Sequence, residues 1–459
     1  MSLVHSFPPL VAIVGATGTG KSQLAVDIAR RFNGEVINGD AMQLYDGLPI
    51  ITNKITDEER QDVPHHLLGC IGLNEETWTV GTFVKKASVI IDEIRSRGRL
   101  PVLVGGTHYY TQSLLFRETL ASDEEASRPN EASKEDSRNW PILDAPTETI
   151  LEELRRIDSI MADRWHPKER RKIQKSLEIY YRTGKTASKL YEEQRAKKQA
   201  MISPNNMEGS GWDAALSPLR YPTLMFWVYS SSDALNERLD SRVVKMLDNG
   251  LLSEVKELHK FCEQQKAQGR EIDQGRGIWV SIGYKEFVEY QSALSSEDVQ
   301  GKKLQALLRT GIQKTQVATR QYAKRQARWI RIKLFNALSE AGCMDRFYIL
   351  DATDPDRWEE SVLEKAAFLT SHFLKGEKLP SPSSISETAA ELLMPKRDDI
   401  SQRRDLWIRR TCEVCGVTAV IQNDWDLHIK SQSHRRAVKA KTKRENIINE
   451  ARQEGPVSH

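Results

Sequence analysis

Gly15-Ala-Thr-Gly-Thr-Gly-Lys21-Ser22 constrains this chain more than any other eight residues in it. The segment fills every position of the pattern G-x-x-x-x-G-K-[ST]. It follows a continuous apolar run, Leu10-Val11-Ala12-Ile13-Val14, and opens a stretch with helical spacing through Leu24, Ile28 and Phe32. An apolar run of this length reads as a strand buried on both faces. A glycine-rich turn between such a strand and a helix lets backbone N–H groups converge on phosphate oxygens, and the helix N-terminus adds partial positive charge. An ordinary glycine turn has no need of all eight positions with both flanks. Gly15, Ala16, Thr17, Gly18, Thr19, Gly20, Lys21 and Ser22 are therefore expected to hold a phosphate or a diphosphate. Lys21 would neutralise it, and the Ser22 hydroxyl would ligate Mg²⁺.

The rhythm continues. Glu35-Val36-Ile37, Leu100 to Val104 (ended by Gly105-Gly106) and Pro222 to Tyr229 read as further strands, separated by helical spacing, which predicts a parallel sheet. The expected architecture is α/β: a P-loop parallel-sheet core with a helical insertion domain and a small C-terminal zinc finger. Composition shifts set the boundaries. Residues 1–117 form the first part of the core, and 118–147, rich in Ser, Glu, Asp and Pro, a disordered acidic insertion. Residues 148–219 form the helical insertion and 220–375 the second, mostly helical part of the core. A linker follows over 376–402, then a finger with basic flanks over 403–445 and a tail over 446–459.

Composition excludes several classes. The 459 residues fit two to four domains, and 67 Lys plus Arg against 64 Asp plus Glu exclude a uniformly basic coat for nucleic acid. No apolar run approaches the ~20 residues of a membrane span. Met1 to Pro9 carries no signal or transit pattern, and five cysteines are too few for a disulfide framework. A reduced, cytosolic or nuclear setting is expected.

A P-loop enzyme that cleaves nucleotides also needs a strand ending in a carboxylate for Mg²⁺. Val89-Ile90-Ile91-Asp92 looks suitable in isolation, but Phe83, Ala87, Ile90, Ile91 and Ile94 fall at helical spacing. The strand ending at Val104 runs into Gly105-Gly106-Thr107 with no carboxylate. Asp40, three residues after Ile37, is left. The carboxyl ends of parallel strands gather functional loops, so Asp40 should lie near the P-loop. It could serve a metal or act as a base.

With Asn38-Gly-Asp40-Ala-Met-Gln43-Leu-Tyr45, the chain resembles the tRNA dimethylallyltransferase (tRNA isopentenyltransferase) family. Further motifs follow in family order. They are Pro49-Ile-Ile-Thr-Asn-Lys54, Val63-Pro-His-His66, Gly105-Gly-Thr-His-Tyr-Tyr110, His166-Pro167 with Arg170-Arg-Lys-Ile173, and Leu177-Glu-Ile-Tyr-Tyr181 with Thr183-Gly-Lys185. Then come Arg238-Leu-Asp-Ser-Arg242 with Met246, Ser281-Ile-Gly-Tyr-Lys-Glu-Phe287, and Thr319-Arg-Gln-Tyr-Ala-Lys-Arg-Gln326 with Trp329. The resemblance covers about 10–335, and the finger extends it to the eukaryotic form. It implies transfer of a dimethylallyl group from its diphosphate to the exocyclic amine of the adenosine immediately 3′ of the anticodon. The P-loop would then hold the diphosphate leaving group.

By the family pattern Asp40 is the general base, and Thr17 and Arg242 are catalytic contacts to the diphosphate. Asp40, Ala41, Met42, Gln43, Thr107, Arg171, Lys172, Ile173, Gln174 and Lys175 match positions that touch tRNA. A carboxylate beside a weakly nucleophilic aryl amine and a guanidinium beside a departing diphosphate both make chemical sense. Taken alone, the basic run at 170–175 reads as a solvated helix face. Two departures stand out: Gly39 and Ala41 flank Asp40 where the family usually has serines. His65 and His66 resemble a metal pair, but adjacent side chains diverge, so a structural or channel role is expected.

Cys412-x₂-Cys415-x₁₂-His428-x₅-His434 has the ligands and spacing of a zinc site, with Trp425 as a core aromatic. Arg403, Arg404, Arg409 and Arg410 precede it, and Arg435, Arg436, Lys439, Lys441, Lys443 and Arg444 follow. From residue 396 onward there are 14 Lys plus Arg against 9 Asp plus Glu, so the near-neutral whole hides a basic tail. RNA contact is favoured, with protein interaction and nuclear import as the other uses of such a module. The expected partners are the tRNA anticodon arm and dimethylallyl diphosphate, with no membrane. A monomer is expected, cytoplasmic with shares in mitochondrion and nucleus. The competing readings are a P-loop nucleotide or RNA kinase and a non-catalytic RNA-binding protein.

Overall fold

The structure, a computed structural model, describes residues 9–117, 140–193, 217–270, 272–294, 301–394 and 407–453. The chain forms two compact units, one of Met1–Leu120 with Met201–Arg397 and the other of Ala121–Ala200 with Asp398–His459.

The first unit holds a six-stranded, wholly parallel sheet. Its strands are β1 (Leu10–Gly15), β2 (Gly34–Asn38), β3 (His65–His66), β4 (Leu100–Val104), β5 (Thr223–Tyr229) and β6 (Phe347–Asp351), in the order β3-β2-β4-β1-β5-β6. Strand β1 lies between β4 and β5 with every residue buried, which is why its sequence is apolar without alternation. Side chains alternate across the sheet. Val11, Ile13, Val102, Leu224 and Phe226 pack with Leu24 and Ile28 of helix Lys21–Arg31 and with Leu369 and Phe373 of helix Glu364–Lys375. Ala12, Val14, Leu103, Met225 and Trp227 pack on the other side with Phe83, Ala87 and Ile91 of helix Val80–Ser96. That helix is the expected one, and Asp92 stands exposed on it.

Strands β3 and β6 were not expected. The composition of 376–402 predicts a linker. Over 376–394 it is instead packed structure: Ser386 Oγ caps helix Glu387–Leu392 by accepting from Ala389 N (3.1 Å), and Ala389 and Leu392 enter the core. The acidic segment 118–147 lies outside the described residues up to 139. Its last part is ordered, with a short helix Pro141–Asp144. The loop 197–219 is likewise outside up to 216.

The second unit contains helices Thr147–Ile157, Ser159–Arg164 and Arg170–Thr183 and a further one from 187. Ile150, Leu154, Ala162, Ile173 and Leu177 meet at its centre, all at 0% exposure. Buried Asp158 joins two helix starts, accepting from Met161 N (3.2 Å) and Ser188 N (2.8 Å). The C-terminal module belongs to this unit and is no free tether. It is an antiparallel hairpin, β7 (Trp407–Thr411) with β8 (Thr418–Ile421), followed by helices Gln422–Lys430 and Gln432–Gln453. His166 Nδ1 accepts from Lys168 N (3.1 Å), so its Nε2 carries the proton and donates to Thr418 O (3.1 Å). Arg409 donates to Ala162 O (3.3 Å).

Candidate active site and metal centre

Because β2, β4 and β1 are adjacent and parallel, their carboxyl ends bring three loops together: 39–43, 105–107 and the P-loop. In the P-loop, Gly18 (φ +83°) and Gly20 (φ +89°) take conformations that a side chain would strain. Lys21 Nζ folds back to donate to Ala16 O (2.7 Å), as does Thr19 Oγ1 (3.0 Å). Arg242, from helix Ser232–Asp248, donates to Thr17 Oγ1 (2.8 Å), and its Nε is buried without a partner among the described residues. Burial lowers the Arg242 pKa to about 10 and draws Lys21 down to about 8 against the attraction of Asp40. Ser22 stands exposed at the start of helix Lys21–Arg31.

Asp40 is held from behind. Its N–H donates to Asn38 Oδ1 (2.9 Å), and Asn38 Nδ2 donates to Asp40 O (3.0 Å) and Leu67 O (2.7 Å). The Asp40 carboxylate accepts from Met42 N (3.0 Å). Burial raises its pKa above the ordinary carboxylate value despite that bond and the Lys21 charge. Thr107 Oγ1 accepts from Ala41 N (2.9 Å), and Gln43 Nε2 donates to Asn53 O (2.9 Å). Gly106 makes this closeness possible: a Cβ there would lie 2.7 Å from both Asp40 Oδ2 and Gln326 Nε2.

Two positioning residues sit in quoted motifs without any role legible from the sequence. Asn38 is one. Gln326, on the 28-residue helix Lys302–Trp329, is the other: its Oε1 accepts from Thr17 N (2.8 Å) and its Nε2 donates to Gly106 O (2.8 Å). One amide therefore ties the phosphate loop to the loop beside Asp40. Tyr322, one helical turn earlier, has its hydroxyl pKa pushed up by burial and the Asp40 charge.

The basic run at 170–175 divides. Arg171, Lys172 and Lys175 are exposed, with Lys172 paired to Glu169 and Lys175 to Glu178 (3.2 Å). Gln174 donates to Leu143 O (2.7 Å), and Arg170 to Leu143 O (2.9 Å) and Ala145 O (2.6 Å). Ile173 departs from expectation: it is fully buried in the core, because the helix turns its apolar stripe inward. No surface contact is open to its side chain.

His65 and His66 serve the structure. His66 Nε2 meets Glu35 Oε2 (2.6 Å) and His65 Nδ1 meets Val63 O (2.8 Å).

In the C-terminal module Cys412, Cys415, His428 and His434 bring one ligand atom each within 4.8 Å of one another. Cys415 Sγ lies 3.3 Å from His428 Nε2 and 3.8 Å from His434 Nδ1, and Cys412 Sγ lies 3.6 Å from His434 Nδ1. A tetrahedral ion at zinc bond lengths spaces its ligands about 3.5 Å apart, so the donor set fits. The five-residue gap between the histidines holds a helix break at Ser431, whose Oγ accepts from His434 N (3.1 Å). Trp425 packs beside His428 with Arg410 over its ring.

A family model described as IPP transferase matches residues 43–333, and one described as isopentenyl transferase matches 8–69. The chain is 37% identical over 449 residues to the tRNA dimethylallyltransferase of Schizosaccharomyces pombe, covering 95% of this chain and 96% of that one. It is 32% identical over 435 residues to the human tRNA dimethylallyltransferase, covering 93% and 85%. A solved structure of a eukaryotic dimethylallyltransferase acting on tRNA is similar with a TM-score of 0.74 and 31% identity, over 96% of this chain and 99% of that one. The chain belongs to the tRNA dimethylallyltransferase family.

Proposed function

We infer that this enzyme transfers the dimethylallyl group of dimethylallyl diphosphate to the exocyclic amine of the adenosine immediately 3′ of the anticodon in tRNA. The observation that carries the chemistry is the juxtaposition of a P-loop with one raised-pKa carboxylate, Asp40, tied together through Gln326. In the step, the amine lone pair forms the new N–C bond. The allylic C–O bond breaks, and its electron pair leaves with the diphosphate. The amine proton passes to the Asp40 carboxylate, which a raised pKa suits. Lys21, Arg242, Thr17 and the loop N–H groups meet the charge growing on the leaving group. Ser22 is placed to offer one oxygen to Mg²⁺, which would supply further charge neutralisation. A phosphoryl-transfer reading is not favoured, since β4 is followed by Gly105-Gly106 rather than a carboxylate and Asp92 lies on an exposed helix face.

Incubation with dimethylallyl diphosphate and tRNA bearing that adenosine should add one isopentenyl unit to it, read by mass spectrometry of the nucleosides. Folded protein that binds inorganic pyrophosphate yet gives no such product would sink the reading.

For the second unit, the reading is that Zn²⁺ on Cys412, Cys415, His428 and His434 holds the hairpin, and that exposed Arg435, Arg436, Lys439 and Lys443 join Arg171, Lys172 and Lys175 in binding the tRNA backbone. Cys412→Ser should weaken tRNA affinity about tenfold while leaving pyrophosphate binding intact. An unchanged tRNA dissociation constant would remove the finger from recognition. Among the described residues no helix is long and apolar enough to cross a membrane. A monomer, cytoplasmic with shares in mitochondrion and nucleus, completes the proposal, and light scattering and imaging of the tagged chain check it.

A further inference from the structure

His108 opens helix His108–Leu115, directly after the Gly105-Gly106-Thr107 loop that packs against Asp40. It is only 4% exposed, and neither ring nitrogen has a hydrogen-bond partner among the described residues. Buried polar groups are nearly always paired, so an imidazole orphaned at both nitrogens is a standing cost to the fold. Its surroundings say what it is kept for. One face of the ring lies against Trp329, with centroids 5.4 Å apart and planes inclined by 29°, so the edge that bears the nitrogens is the part left to bind. Trp329 ends the same helix whose Gln326 bridges the P-loop to Gly106. Burial first, and then the positive charge of Lys21 on the phosphate loop, act against a charged imidazole at His108.

We propose that His108 is a ligand of the diphosphate, a neutral imidazole that donates a ring N–H to one of its oxygens. The proposal rests on the reading of the P-loop as a diphosphate site. Burial, and then the Lys21 charge, hold the imidazole pKa down at about 3, so His108 carries no imidazolium charge at physiological pH. A neutral donor has an advantage here. Its bond strengthens as negative charge gathers on the departing group, as with other preorganised donors. It adds no further full charge to the cations already in the cleft, which would hold pyrophosphate after the reaction.

The test compares wild-type enzyme with His108→Phe, which keeps an aromatic ring against Trp329 but loses both nitrogens, and with His108→Gln, which keeps an N–H donor. Inorganic pyrophosphate binding is measured by calorimetry, turnover with tRNA by product formation, tRNA affinity separately, and Tm by scanning. His108→Phe should melt at or above wild type, because two orphaned nitrogens are gone. It should bind pyrophosphate roughly tenfold more weakly and lose about 100-fold in kcat, with tRNA affinity unchanged. His108→Gln should recover part of both losses. Where Phe is not accommodated, His108→Ala, with and without added imidazole, reads the same effect as rescue of turnover. Wild-type pyrophosphate affinity and kcat in His108→Phe would overturn the proposal. So would a loss of tRNA affinity with pyrophosphate binding intact, which would turn the ring toward the base. If wild-type enzyme itself failed to bind pyrophosphate, the diphosphate reading of the P-loop would fall, and this assignment with it.

Discussion

Strand β2 sets two carboxylates near its opposite ends, and they are treated in opposite ways. Glu35, at the amino end, is 2% exposed and saturated: Arg97 donates to both its oxygens (3.1 and 2.7 Å), Arg99 to Oε1 (3.1 Å), and His66 sits on Oε2. Burial alone would raise its pKa, but the hydrogen bonds from Arg97 and His66 outweigh it and hold the carboxyl at about 2. Asp40, two residues past the carboxyl end, has backbone support and no ion-pair partner at bonding distance among the described residues, and its pKa goes up. The sheet completes its electrostatics at one end and leaves them open at the other. Arg242 Nε and the two His108 nitrogens, on residues of the same cleft, are likewise buried without a hydrogen-bond partner among the described residues.

That contrast can be broken by substitution. The largest effect is expected at the open end. Asp40→Asn should cost about 10³-fold in kcat, with no loss of melting temperature and tRNA affinity kept. Turnover above about a tenth of wild type would take the base role from Asp40.

At the closed end the effect should fall on stability alone. Glu35→Gln should lower unfolding free energy by about 2 kcal/mol in a denaturant titration, discounted for the partly exposed arginines. Specific activity of the folded fraction should hold. Because the folded-state pKa is depressed, this contribution is present above the ordinary value near 4.5 and is lost as pH falls from there toward about 2. An acid-unfolding curve identical in the variant would contradict the assignment.

The smallest test adds no mutation. Lys21 titrates at about 8, so kcat/KM for the diphosphate substrate should fall as pH rises through about 8, where the ammonium loses its charge. Bound diphosphate favours the charged form, so the same limb in kcat should lie at higher pH. A kcat/KM that stays level to about pH 10 would show that Lys21 keeps its charge in the open site.

Much of this was legible in residue order, for reasons that differ by element. β1, β2, β4 and β5 sit inside the sheet, and burial on both faces writes itself as an apolar run. β3 is only His65–His66 on an edge, paired by backbone and by Glu35, so it has no pattern to find. β6 does carry an apolar run, Phe347 to Leu350, and was readable between Gly342 and Pro355. The P-loop and Asp40 were visible because local spacing determines them. Gln326 lies 309 residues from Thr17, and no local pattern specifies such a bond. Arg242 came from family likeness alone, though the structure does set it on Thr17.

The second unit is built from two stretches of chain with most of the first unit's sequence between them. During synthesis its helices therefore emerge long before the hairpin that engages Ala162 O and His166. Closing so long a loop adds little entropic penalty beyond that of a shorter one. The delay is the larger matter: half of a folding unit waits while the parallel sheet completes. A chain stopped short of residue 407 would own every strand of the sheet and the whole diphosphate cleft, yet only part of its second unit. Premature termination late in the message should therefore yield an enzyme that still grips pyrophosphate but holds tRNA more weakly.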